Sequence, residues 1–283
     1  LMRERELYGR MGASSKADQL IVRLYSLDST DRDIREQYEL YRLRQAKDYT
    51  LEGVYYRALE HWRFVSRSED AELRLAAWSA IQNGCRQLGL YAEGMAALDS
   101  LIAAKPEDAG WRLQRATTYA DAGRYMAALD ECAEALKRSR PDDRSWITGA
   151  IDELATVSAK TLIEAYRLDE ALRFLDRWLE LNPRSEQALR YGANVAMQKE
   201  AFAKAEKYAG AGIEYYPTEP FFRIKLAEVM SRREEEARAL DLLAAELRKF
   251  PYHKDLINAH SEISEYYARE LIYERPDFPE CLR

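Results

Sequence analysis

The groups in this sequence able to do chemistry are its histidines, its cysteines and a large set of carboxylates, and their spacing decides what they can do. A helical metal site wants ligands at i and i+4 on one face, as in H-E-x-x-H. His61, His253 and His260 have no such partners. His253 and His260 stand seven residues apart on one predicted helix and read as a solvated edge. Cys85, Cys132 and Cys281 are odd in number, far apart and outside any C-x-x-C pair. They read as two buried core thiols and one near the C-terminus, which leans towards a reducing compartment. There is no G-x-S-x-G and no phosphate-cradling glycine loop. The acidic runs SED, PED, PDD and REEE fall at helix starts or on exposed faces, where the helix dipole favours them. No pair stands out as an acid and a base. The expectation is no enzyme, no metal site and no cofactor.

The elements that carry these groups announce themselves through prolines. Pro106, Pro183, Pro217 and Pro251 each close a helical run: DSLIAAKP, DRWLELNP, GAGIEYYP and AELRKFP. Two successive intervals, Pro183 to Pro217 and Pro217 to Pro251, are 34 residues each. The 77 residues from Pro106 to Pro183 make two such units plus nine. A fixed period of this size predicts a solenoid of helical hairpins. Composition agrees: 47% hydrophobic and 33% charged residues with only 12 Gly and 8 Pro describe a packed helical chain, not a disordered one. Acidic residues outnumber basic ones by 49 to 43 with both signs interspersed, so no basic stripe invites nucleic acid. No apolar run reaches the roughly 18 residues that would span a bilayer. The opening LMRERELYGR is too charged to be a signal peptide.

Within the period, Gly89 and Gly123 are 34 apart, as are Tyr91 and Tyr125. Each G-x-Y marks a turn in which Gly caps one helix and Tyr packs back into the hairpin. Small residues recur where two helices must approach: Ala116 with Ala128, Ala159 with Ala171, Ala193 with Ala205 and Ala227 with Ala239, with Ala135 beyond the first pair. Larger residues, among them Trp78, Tyr119, Leu162, Leu175, Leu226 and Leu243, fill the spaces between. This pattern resembles the tetratricopeptide repeat (TPR) family. The resemblance is closest over 75–108 and 109–142, fainter over 184–218 and 219–252, and degenerate over 143–183, where Tyr166 replaces the turn glycine. It implies an all-α, right-handed α-solenoid of antiparallel helical hairpins.

The expected organisation is a capping helix in 1–32, a degenerate hairpin in 33–70, a repeat array in 71–252 and a capping helix with a tail in 253–283. The first hairpin is expected to turn at Asp48–Tyr49. The nine extra residues, near 143–155, either lengthen one helix by about 13 Å, with Trp146 packed on its neighbour, or loop out and project Trp146 and Ile147. Tyrosine pairs such as Tyr55–Tyr56, Tyr215–Tyr216 and Tyr266–Tyr267 are expected to place one ring in the core and one towards solvent.

The resemblance also supplies candidate site residues. In the family, the first helix of each hairpin lines a concave groove, and residues three and four apart point inward. Carried over, these are Ser79 and Asn83, Leu113 and Thr117, Thr156 and Lys160, Arg190 and Asn194, and Ile224 and Glu228, with Tyr191, Lys225 and Arg232 nearby. Arg190 with Asn194 looks like half of the family's carboxylate clamp. The rest of the clamp is missing, because Lys225 stands at the next Asn position and Asp255 and Ala259 replace the basic pair. What the resemblance implies is a non-catalytic scaffold that binds a peptide or extended protein segment in its groove. The alternative is an assembly module of a cell-envelope machine, as in polysaccharide export or outer-membrane systems. Partners are expected to be protein or peptide, with self-association open, no nucleic acid and no membrane insertion by this segment. The compartment is left open.

Overall fold

The computed structural model describes residues 2–11 and 13–274. Cys281 and the tail PDFPECLR lie outside them. Among the described residues every regular element is a helix: fifteen α-helices and one 3-10 turn at Pro141–Asp143. The chain divides into two compact units, Leu1–Arg144 and Ser145–Arg283. In the first, α1 (Met2–Arg10) and α2 (Ser14–Leu27) precede three hairpins. These pair α3 (Arg32–Leu51) with α4 (Tyr55–Val65), α5 (Ala71–Gln87) with α6 (Tyr91–Ala104), and α7 (Ala109–Asp121) with α8 (Tyr125–Arg138). The second unit pairs α9 (Arg144–Glu164) with α10 (Leu168–Leu181), α11 (Glu186–Gln198) with α12 (Phe202–Tyr215), and α13 (Pro220–Ser231) with α14 (Glu236–Lys249). It ends in α15 (Lys254–Glu274). The fold class is the all-α solenoid of antiparallel hairpins that the period predicts.

One backbone device makes every hairpin. A single residue with positive φ follows the first helix: Gly53 (75°), Gly89 (69°), Gly123 (73°), Tyr166 (56°), Glu200 (56°) and Glu234 (63°). The next residue's N–H then reaches back to a carbonyl five positions earlier, as in Leu90 to Cys85 at 2.8 Å and Glu235 to Met230 at 3.0 Å. This satisfies a carbonyl that the helix end would leave bare. The first helices α5, α7, α11 and α13 start on side-chain caps from Asp70, Asp108, Ser185 and Glu219. Pro106, Pro183, Pro217 and Pro251 each follow the C-cap of a second helix, where the missing N–H costs nothing and the helix cannot continue.

The small-residue seam is confirmed position by position. Ala116, Ala128, Ala135, Ala159, Ala171, Ala193, Ala205, Ala227 and Ala239 are all fully buried. Leu162, Leu175 and Leu243 are buried between them, while Trp78, Tyr119 and Leu226 are half-buried. Closest approach comes where even Ala is too large: Gly192 lies under the Tyr208 ring and Gly212 under that of Phe222.

Several expectations need correcting. The first hairpin turns at Gly53, not Asp48–Tyr49, because α3 continues to Leu51 and the glycine supplies the left-handed residue. The segment 1–32 holds two helices, not one. Of the two readings of the nine extra residues the lengthened helix holds, since α9 runs to 21 residues against 13 in α7 and α11. Within α9, Ile147 is buried and Trp146 is half exposed. His253 precedes α15, so it does not share a helix with His260. Tyr56 and Tyr266 do face solvent beside half-buried partners, but Tyr215 and Tyr216 are both half-buried.

Candidate functional site

The turn residues give each first helix a common register. Positions ten and six before them are Ser79 and Asn83, Leu113 and Thr117, Thr156 and Lys160, Arg190 and Asn194, and Ile224 and Glu228. Asn83 and Thr117 belong to the first unit. Asn83 is exposed, whereas the half-buried Thr117 donates its hydroxyl hydrogen to Leu113 O at 3.0 Å, serving its own helix. In the second unit Lys160 is exposed and pairs with Glu164 at 3.7 Å. Asn194 is exposed and Tyr191 half-buried.

Four predicted groove residues, Arg190, Ile224, Lys225 and Glu228, meet in one cavity of about 290 Å³ in the second unit. Its wall runs from Arg190 on α11 through Phe221, Ile224, Lys225 and Glu228 on α13 to Asp255, Asn258, Ala259 and Glu262 on α15, with Glu219 and His253 at the helix starts. Tyr191 and Asn194 do not line it. On α15 the comparison with the clamp reached Asp255 and Ala259, but Asn258 and Glu262 were missed because α15 reads as a cap. Their signal was present, since Asn258 and Glu262 stand 34 residues beyond Ile224 and Glu228.

Both cations of the cavity are already engaged. Arg190 pairs with Glu186 at 2.8 Å and with Glu219 at 3.1 Å, and its guanidinium carbon lies 4.5 Å from the Phe221 ring centroid. Lys225 sits 2.8 Å from Glu228 and 5.6 Å from the same ring. Phe221 is thus flanked by two positive charges that its quadrupole and nearby carboxylates neutralise. Asp255, Asn258 and Glu262, all exposed, have no ion pair or hydrogen bond to a described side chain. The Nδ1 of His253 is shielded from solvent without a hydrogen-bond partner.

Reactive chemistry finds little footing. The buried thiols Cys85 and Cys132 are pushed up to about 12 by burial, with Glu93 and Glu131 adding to it, so neither supplies thiolate near neutral pH. The contact between Ser264 Oγ and His260 Nδ1, at 3.4 Å, is longer than the roughly 2.6–3.2 Å of a nucleophile and its base. Among the described residues no group of three or more His, Cys, Asp or Glu is placed to hold a metal, and no helix is long and apolar enough to cross a membrane. A larger cavity, about 590 Å³, lies in the first unit against Tyr25, Phe64 and Leu40, away from every predicted residue. Its polar wall is partly self-paired, Arg32 with Glu36 at 2.9 Å and Arg35 with Glu69 at 3.3 Å.

The left-handed turns, 34 residues apart at three of their five intervals, and the buried small-residue seam define the chain as an array of antiparallel helical hairpins. No family model and no curated protein matches it in sequence. Solved structures similar to it include a TPR protein from Parabacteroides merdae, at 17% identity and a TM-score of 0.40 over 82% of this chain and 89% of that one. Yeast Sti1, in a TPR2AB-domain:pHSP90 complex, is similar at 13% and 0.36, over 81% of this chain and 99% of that one. YrrB, described as a TPR protein with an unusual peptide-binding site, is similar at 17% and 0.39, over 73% and 97%. At such identities and TM-scores, any reading of a guest has to come from this chain's own groove.

Proposed function

We propose that this chain is a non-catalytic scaffold whose second unit holds an extended peptide or protein segment along α11, α13 and α15. The observation that supports it is the convergence of inward positions from three successive first helices on one open cavity. An extended peptide brings an unpaired N–H and C=O at every residue. Asn258 can both donate to and accept from that backbone, and Phe221 with Ile224 offers apolar area for a side chain. Asn83 and Thr117 mark the same register on the first unit, and Tyr191 and Asn194 flank Arg190 on α11; they are secondary candidates.

The test is selection of binders from a random-peptide display library on the wild-type chain and on Asn258→Trp, which fills the cavity from an exposed helix position. The reading expects peptides whose binding falls at least tenfold in the variant while the melting temperature holds. Peptides bound equally well by both, or none selected, would overturn it.

A further inference from the structure

Resting on that reading, we infer that the guest of the second unit's cavity is a segment rich in Lys or Arg, not an acidic segment or a free C-terminal carboxylate. The cavity wall carries two cations, Arg190 and Lys225, and four carboxylates, Glu219, Glu228, Asp255 and Glu262. Each cation is held by carboxylates and stacked on Phe221, so an incoming carboxylate would have to break those pairs to be recognised. Asp255 and Glu262 lie seven residues apart, two turns along α15, with Asn258 between them and no protein cation on either. Their field is left for a guest to neutralise. The shielded Nδ1 of His253 adds a further unpaired polar atom in the same wall. Charge complementarity of this kind selects partners and speeds their encounter.

The sign of one substitution separates this guest from an acidic one. Lys225 neutralises Glu228, so Lys225→Met frees a third carboxylate and should tighten a basic peptide while weakening an acidic one. Asp255→Asn with Glu262→Gln should weaken the basic peptide by roughly tenfold at low salt, and less near 0.5 M, where screening takes over.

The experiment measures fluorescence anisotropy of labelled (Gly-Ser-Lys)4, (Gly-Ser-Gln)4 and (Gly-Ser-Glu)4 peptides on the full chain. The variants are those two, Asn258→Trp, and a control, Glu52→Gln with Glu107→Gln, that removes two exposed acidic charges from the first unit. The expected result is tightest binding of the lysine peptide, weakened by the α15 double variant, strengthened by Lys225→Met and unmoved by the control. Preference for the glutamate peptide, or an equal loss in the control, overturns the inference. Equal binding of all three peptides that Asn258→Trp abolishes also overturns it, yet leaves the groove reading standing. No peptide bound at all overturns both.

Discussion

Gly212 on α12 stands where a side chain has no room: a Cβ there would fall 2.1 Å from Cδ1 of Phe222 on α13. Two positions earlier on the same helix, Gly210 has nothing within 4 Å of such a Cβ. The pair makes an internal control. Gly212→Ala gains helix propensity but must displace a fully buried ring, so a net loss of about 1–3 kcal/mol is expected. Gly210→Ala keeps the propensity gain alone, up to about 1 kcal/mol. Urea unfolding of both variants checks this, and Gly212→Ala as stable as wild type would mean that the α12–α13 contact is looser than described.

The left-handed turn residues give a second pair of opposite signs. Glu200 and Glu234 hold φ values of 56° and 63° that cost a side-chain-bearing residue roughly 1–2 kcal/mol, whereas Gly123 holds 73° without that cost. Part of the relief on going to Gly is offset by greater freedom of the unfolded chain. Glu234→Gly should therefore stabilise by about 0.5–1 kcal/mol, and Gly123→Ala destabilise by about 1 kcal/mol. Opposite shifts in thermal midpoint are the expected readout; a destabilised Glu234→Gly would assign that side chain a role the turn does not require.

These turns also explain what was legible in the sequence. Gly89 and Gly123 spelled out the period, and the alanine seam confirmed it, because left-handed backbone and close helix approach each demand one residue type. Glu200 and Glu234 were silent, since the same backbone can be imposed by the packing around it at a modest cost. The first hairpin was expected to turn at Asp48–Tyr49, although Gly53 is the residue that suits the left-handed turn. In the groove, the family resemblance implied Arg190, Ile224, Lys225 and Glu228. It would also have implied Asn258 and Glu262 had α15 been counted as a repeat helix. Charge pairing was legible only in part: Glu186 stands four residues before Arg190 on α11, a spacing the sequence shows, whereas Glu219 reaches Arg190 only through the packing of α13 on α11.

Tyr208 ties two hairpins together. Its hydroxyl donates to Asp176 Oδ1 at 2.7 Å, and Lys204 meets the other carboxylate oxygen at 2.7 Å. Burial alone would raise Asp176, but the hydrogen bonds from Lys204 and Tyr208 outweigh it and hold the carboxyl below its usual value. Tyr208→Phe keeps the ring over Gly192 and removes one donor, and Lys204 still serves the acid. The expected loss is about 1 kcal/mol, below that of a fully buried charged pair because Asp176 is partly solvated. The depressed carboxyl adds stability at neutral pH that fades as pH falls through its folded value, so the gap between variant and wild type should narrow in acid. Paired urea titrations near neutrality and at about pH 3 would expose a gap that instead widened.

His61 makes stability depend on pH in a higher window. Its ring stacks on Tyr49 with centroids 5.6 Å apart and meets Tyr41 edge-on at 6.3 Å, while its Nδ1 is shielded without a partner. Burial lowers its pKa first and Arg42 second, with Glu60 opposing. A histidine depressed in the folded state takes up its proton more readily when unfolded. Stability is therefore complete above the unfolded value of about 6.5 and falls as pH drops from there towards the folded value, by at most about 1.4 kcal/mol per pH unit. Carboxylates titrate near pH 4, so a comparison between about pH 7.5 and 5.5 isolates the effect. His61→Gln should unfold with nearly the same midpoint at both, while wild type loses stability at the lower pH. Equal slopes in the two proteins would remove His61 as the source, because the mechanism requires its ring to be the group that gains the proton on unfolding.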